Sequence, residues 1–189
     1  AGSSEGALRR TALAVADELQ VPFEAYQQAL DEFQGIQRRF TIQGQAAGVT
    51  VVDDYGHHPE EIKTTLDGAR RAFDGRTLVV FQPHRFTRTR DLADQFHAAF
   101  NQADVVLVMD IYAAGEEPIE GVTARGIYEG IRALGHRNAH YISDREHVVD
   151  WLEGNTRRGD LVITMGAGDV WRVGGELLAC LHKRENRKD

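Results

Sequence analysis

Hydrophobic positions along this 189-residue chain keep one register at first and then change to another. Over residues 7–19, Leu8, Ala12, Val15, Ala16 and Leu19 recur at helical spacing, which predicts a helix. The stretch "VPFEAYQQALDEF" predicts a second helix. Pro22 sits in its first turn, Tyr26, Leu30 and Phe33 share one face, and Gly35 can end it. Then the texture alternates. "RRFTIQGQAAGVTVVDDY" reads as a β-hairpin over 40–53, around a turn zone between Gly44 and Gly48. A domain boundary is expected near Gln37, separating 1–37 from 38–189.

After the hairpin a strand-then-helix rhythm repeats. "VTVVDD" leads into a helix over 59–73, and "TLVVFQP" into one over about 89–100, where Leu92, Phe96 and Phe100 are spaced by four. "DVVLVMD" precedes a helix over 123–134, "AHYIS" one over 144–152, and "DLVITMG" a last one over 170–181. The strand segments are short, β-branched and apolar on both sides, as strands covered on two faces must be. Five such units predict an α/β fold with a doubly wound parallel sheet. The hairpin adds one antiparallel strand at its edge. The charged tail "HKRENRKD" is expected to fray.

Composition narrows the function classes. A net charge of −7 argues against a generally basic nucleic-acid surface, while leaving room for a local basic patch. Cys180 is the only cysteine, so no intrachain disulfide can form, which fits a reducing compartment. No apolar run approaches the ~20 residues of a membrane span, and no secretory signal is visible. The opening "AGSSEG" has no starting methionine. It reads as a tag-like lead, Gly2 to Ser4 above all, on a fragment.

The chemistry-bearing residues collect at the carboxyl ends of the predicted strands, where ligands sit in open α/β sheets. "DDYGHHP" follows the first strand, "PHRFTRTRD" the second, "DIYAAGEEP" the third and "GAGD" the last. His84, Arg85, Arg88 and Arg90 fall within seven residues at an expected helix start. Cations there fit a bound carboxylate or phosphate, with arginine as a bidentate fork. The plainer reading pairs them with Asp91, Asp94 and Glu116. Asp53 and Asp54 suit ribose hydroxyls, a water-bridged Mg²⁺ or helix capping. His57 and His58 suit hydrogen bonds to a polar ligand better than a zinc site, because no third ligand has the right spacing. "GAGD" is a weak phosphate-loop signal, lacking both the third glycine of a dinucleotide fingerprint and the GKS/T of a P-loop. No nucleophile motif is evident. The residues alone define an anion- and hydroxyl-binding α/β domain.

"RRF", "VVDDYGHHPEEI", "VVFQPHRFTRTRDL", "MDIYAAGEEPIEGV" and "GDLVITMGAGDVW", in this order, resemble the C-terminal part of the Mur ligases of peptidoglycan synthesis, in their L-alanine-adding branch. The resemblance runs from about residue 7 to the end. It implies a Rossmann-like domain over 38–189, with six strands, one of them antiparallel. The two leading helices would close a central ATPase domain, against which the rest packs. It further implies an ATP- and Mg²⁺-dependent cytoplasmic enzyme joining UDP-N-acetylmuramate to L-alanine through an acyl phosphate, with no nucleic-acid or membrane partner.

Position by position, Arg39 corresponds to the arginine facing the ATP γ-phosphate, and Asp54 to the aspartate near the nucleotide ribose. These two are the expected catalytic and nucleotide-binding residues. Tyr55, His57, His84, Arg85 and Arg88 correspond to the L-alanine pocket, and His58 and Pro59 to the shape of the loop. No metal ligand is expected in this chain, which on this reading does not ligate by itself. Two alternatives stand beside it. One is a fragment of the related murein tripeptide ligase, although "DDYGHHP" and "QPHRFTRTRD" favour the alanine branch. The other is a non-catalytic anion-binding module.

Overall fold

A computed structural model describes residues 2–32 and 37–186, with side chains of the first helix described from Arg10 onward. The chain divides into two compact units, Ala1–Gln37 and Arg38–Asp189.

The first unit holds α1 (Gly2–Glu18) and α2 (Phe23–Glu32). Helix α1 starts earlier than its apolar spacing predicts, so "GSSEG" is helical. Leu13, Val15, Leu19 and Phe23 are exposed, and no residue of α2 is buried. The expected contributions of Phe33 and Gly35 lie outside the described residues.

The second unit is a six-stranded sheet in the order β1-β2-β6-β3-β4-β5. Its strands are β1 (Thr41–Ala46), β2 (Val49–Asp54), β3 (Thr77–Phe81), β4 (Val105–Val108), β5 (Ala139–Tyr141) and β6 (Leu161–Met165). Strand β1 runs antiparallel to β2 at one edge, and every other pairing is parallel. Alternation along β3 shows why both faces are apolar. Val79 and Phe81 enter a core with Ile62 and Leu66 of α3 (Pro59–Ala72), Phe96 of α5 (Ala93–His97) and Ile127 and Ile131 of α6 (Ala124–Ala133). Leu78 and Val80 enter a second core with Val148 and Leu152 of α7 (Arg145–Asn155) and Val173, Leu177 and Leu181 of α8 (Trp171–Glu185).

Local signals set the boundaries. Pro59 opens α3 behind a capping box, in which the His58 ring accepts from the Glu60 N–H and the Glu61 carboxylate takes the His58 N–H. Thr123 caps α6 and Asp144 caps α7 through their side-chain oxygens. Close backbone approach fixes Gly75, where a Cβ would lie 1.9 Å from the Gly159 carbonyl oxygen.

Three expectations need correction. The hairpin turn is only Ala47–Gly48, both at positive φ (52° and 72°), the pattern of a type I′ turn. Gly44 lies inside β1, at a register shift against β2. The helix expected over 89–100 is two short ones, α4 (Phe86–Asp91) and α5, broken at Leu92 where ψ rises to 16°. The tail does not fray at once: α8 continues through Glu185. Arg184 donates to the Glu153 carbonyl, and Glu185 accepts the Ala47 N–H at the hairpin turn.

Phe81 is fully buried, with ring centroids 5.4 Å from Phe96 and 5.1 Å from Phe100. Phe81→Ala is expected to lower unfolding free energy by about 3–5 kcal/mol in urea denaturation. Phe23→Ala, at a side chain 60% exposed, is expected to change it by less than about 0.5 kcal/mol.

Candidate functional site

Four strand ends converge, and backbone hydrogen bonds stitch their loops together. The Gly166 N–H after β6 donates to the Asp54 carbonyl at the end of β2. The Gln82 N–H after β3 donates to Met165 of β6, and the segments around His84 and Tyr112 exchange N–H bonds through Arg85 and Pro83. The candidate residues therefore stand on a framework that is itself hydrogen-bonded.

The deepest contact involves Arg38, the first arginine of "RRF". Its Nε lies 2.7 Å from Asp53 Oδ2, and Asp53 is only 2% exposed. Its Nη2 donates to the Gly166 carbonyl at 2.7 Å and its Nη1 to Gly168 at 3.3 Å. Asp53 also accepts the Thr164 hydroxyl at 2.7 Å. Arg39 is left outside this knot. Its guanidinium is half-exposed, 3.1 Å from Glu61, and lies with that of Arg38 against the Tyr55 ring.

Asp54 is buried, and both its oxygens are engaged. Oδ1 accepts the Gly56 N–H at 2.7 Å and Oδ2 the Phe40 N–H at 2.9 Å. Burial raises its pKa, while these two bonds and Arg39 oppose the rise. Neither Asp53 nor Asp54 caps α3; His58 does. Glu61 is partly desolvated, yet the N–H groups of His57 and His58 and the Arg39 guanidinium hold its carboxyl below the ordinary value.

The structure brings Tyr55, His57, His84 and Arg88 together and adds Tyr112. The Tyr55 ring meets His57 edge-on at 5.3 Å, His57 lies 5.7 Å from His84, and His84 stacks on Tyr112 at 5.7 Å and 9°. Partner types set the ring protons. His57 Nδ1 lies 2.9 Å from the Tyr55 carbonyl, which can only accept, so Nδ1 carries a proton and Nε2 is the open acceptor of the neutral ring. His84 Nδ1 lies 3.1 Å from Arg88 Nη1, which can only donate, so Nδ1 accepts and Nε2 carries the proton. Burial, reinforced by Arg88, His57 and Arg85, lowers the His84 pKa to about 4. Neighbouring imidazoles thus offer one acceptor and one donor, beside a guanidinium.

Arg85 turns elsewhere. It occupies the N-cap of α4 at a φ of 72°, and its guanidinium lies 3.9 Å from Glu116, whose carboxylate also takes the Thr87 N–H and hydroxyl. Arg90 pairs with Asp91 at 2.7 Å. For these two arginines the local-acid reading describes what is seen. Helix α4 is only six residues long, so the polar groups gathered here are the Arg88 and His84 side chains rather than a helix dipole. "GAGD" packs rather than cradles: a Cβ on Gly168 would meet Gln82 Oε1 at 2.4 Å and the Tyr112 ring at 2.7 Å. Asp169 accepts from Gln82 and faces Arg145. Among the described residues, no group of three or more His, Cys, Asp or Glu side chains could hold a metal ion. Nor is any described helix long and apolar enough to cross a membrane.

Residues 38–168 match the family described as "Mur ligase, glutamate ligase domain". The chain belongs to the Mur ligase family. It is 56% identical over 171 residues to the UDP-N-acetylmuramate–L-alanine ligase of Anaeromyxobacter dehalogenans, an alignment covering 90% of this chain and 37% of that protein. Against the ligase of the same name from Sorangium cellulosum it is 58% identical over 161 residues, covering 84% and 34%. The chain thus spans little more than a third of these relatives. Among solved structures it is similar to the UDP-N-acetylmuramate–alanine ligase of Thermotoga maritima, with a TM-score of 0.70, 25% identity, and coverage of 94% of this chain and 36% of that one. It is also similar to a murein peptide ligase from Psychrobacter arcticus, with a TM-score of 0.69, 26% identity, and coverage of 89% and 35%.

The His84 environment has a pH signature. Its folded pKa, about 4, lies below the ordinary 6.5, so between those values the unfolded chain binds the extra proton. This group's contribution to stability is present above about 6.5 and is lost as pH falls toward 4. In NMR titration His84 is expected to stay neutral down to about pH 4, with its proton on Nε2. Arg88→Ala should move its midpoint part of the way up, since burial remains. A His84 midpoint near 6.5 in the unmodified chain would contradict this geometry.

Proposed function

We propose that this chain supplies the amino acid site, and part of the nucleotide-facing surface, of an ATP-dependent ligase that joins L-alanine to UDP-N-acetylmuramate in peptidoglycan synthesis. The observation that carries the reading is the convergence of His57, His84 and Arg88 with complementary proton settings. A zwitterionic amino acid needs an acceptor for its amine and donors for its carboxylate. His57 Nε2 is the acceptor, and His84 Nε2–H and the Arg88 guanidinium are the donors. The names of the relatives supply the substrate class.

In the reaction, the carboxylate of UDP-N-acetylmuramate takes the γ-phosphoryl group of ATP to give an acyl phosphate and ADP, and the alanine amine then attacks the acyl carbon and expels inorganic phosphate. The domain's share is positioning. His84 and Arg88 hold the alanine carboxylate away from the reacting carbon, and His57 aims the amine and takes up its proton. Tyr55 walls the pocket beside His57. Arg85, at the N-cap of α4, lies beside Glu116 and reaches the substrate by leaving it. Arg39 is the residue free to meet the γ-phosphate of ATP, since a single carboxylate tethers it and it remains half-exposed. Asp54 serves the nucleotide side by holding the loop in shape. A direct ribose contact would use a lone pair left over from its two N–H bonds. No residue of this chain is assigned to Mg²⁺, whose ligands on this reading belong to the rest of the longer enzyme. The reading includes a cytoplasmic location, which the unpaired Cys180 supports.

The test uses the full-length ligase containing this domain. Arg88→Ala should raise KM for L-alanine by roughly 10- to 150-fold, the loss of one charge-assisted bond worth about 1.5–3 kcal/mol, and leave KM for ATP nearly unchanged. An unchanged alanine KM with weakened ATP use would overturn the assignment. Consumption of murein tripeptide in place of L-alanine would move the enzyme to the related tripeptide branch.

A further inference from the structure

A cavity of about 350 Å³ shares no residue with the site above. It opens between the loop after β4, the start of α6 and the end of β5. Phe86, Ile111 and Val122 form its apolar lining, and Asp110, Arg125 and Tyr141 its polar groups. The polar groups are arranged in an unusual way. The Tyr141 hydroxyl donates to Asp110 Oδ1 and fixes that carboxylate at one end. The Arg125 guanidinium lies over the face of the same ring, 4.8 Å from its centroid. Asp110 and Arg125 therefore line one cavity, one at the hydroxyl and one over the ring face of the same tyrosine, without forming an ion pair with each other. Neither has another ion-pair partner among the described residues. Both side chains are exposed.

We propose that this cavity is a second small-molecule site, which takes a free α-amino acid with an apolar side chain. Its ammonium binds at Asp110, its carboxylate at Arg125, and its side chain lies against Ile111, Val122 and Phe86. An α-amino acid carries both complementary charges on one short N–Cα–C link. The size falls within the ~300–1,000 Å³ of ordinary ligand pockets, and an apolar lining with a few fixed polar groups is their usual makeup. A purely anionic ligand would face the Asp110 carboxylate, and a purely cationic one would face Arg125. Phe86 opens the helix that carries Arg88, so an occupant would touch the element that positions the first site.

The experiment titrates this chain with L-leucine and follows side-chain methyl shifts by NMR, with the His84 and Tyr112 ring signals as a separate report on the first site. Saturable shifts are expected at Ile111 and Val122. Asp110→Asn and Arg125→Gln should each weaken that binding about tenfold or more. In the unmodified chain, N-acetyl-L-leucine and L-leucinamide, which each lack one charge, should each bind at least about tenfold more weakly. Tyr141→Phe should also weaken binding by freeing the Asp110 carboxylate. The proposal is overturned if Ile111 and Val122 show no saturable shift. It is equally overturned if shifts appear only at His84 and Tyr112, or if either neutralised analogue binds as well as L-leucine.

Discussion

One buried ion pair organises the ligand-facing end of the sheet. Asp53 is almost inaccessible at the end of β2, and Arg38 reaches it from the start of the domain while donating to carbonyls just past the end of β6. A charge in that position must be paired and fully hydrogen-bonded. Removing one partner of such a pair costs roughly 3–5 kcal/mol, because the other is left uncompensated. The pairing therefore fixes three things together: the entry of the chain into the domain, the end of β2, and the loop between Gly166 and Gly168. Tyr55 then lies under the Arg38 guanidinium, and Arg39, next in sequence, is turned outward. Adjacent residues of one type hold opposite jobs because only one of them can reach Asp53.

The same economy governs the imidazoles. Two histidines less than 6 Å apart, beside two arginines, would repel one another if charged. Burial and Arg88 keep His84 neutral, and the hydrogen bonds on the inner nitrogens direct the outer nitrogens to different tasks. Tyr112 stacks nearly parallel on the His84 ring. Gly168 makes that stack possible by leaving room for the Tyr112 ring. The glycines of "GAGD" are thus explained by what presses against them.

Much of this was legible in the sequence because it rests on repeating patterns. Strand segments apolar on both faces, each followed by a helix, require a doubly wound sheet, and the residues at strand ends lie where such a sheet places ligands. His57, His84 and Arg88 stand out from their place at strand ends, Tyr55 only through the resemblance of the motifs, and the structure brings all four together. What escaped depends on pairings between distant residues. Arg38 drew no reading beside Arg39, because its partner Asp53 lies 15 positions away. Tyr112 sat unremarked in "DIYAAGEEP", although its position after a strand was the one available clue. The break at Leu92 escaped because Leu92, Phe96 and Phe100 keep helical spacing across it. Gly44 passed for a turn glycine because a register shift inside a strand and a turn both favour that residue. Arg85 was grouped with its neighbours by proximity, yet a positive φ at that position sends it to Glu116.

The edges of the sheet carry a further consequence. Strand β5 is three residues long, and β1 is interrupted by its register shift near Gly44 and held at its turn by Glu185 from the last helix. A sheet edge exposes unpaired N–H and C=O groups, and a long, flat edge recruits strands from other molecules. Here one edge is too short to template such pairing, and the other is bent out of register and tied down. The domain can therefore bury the apolar strands at the centre of its sheet without offering a neighbouring molecule a straight ladder to extend.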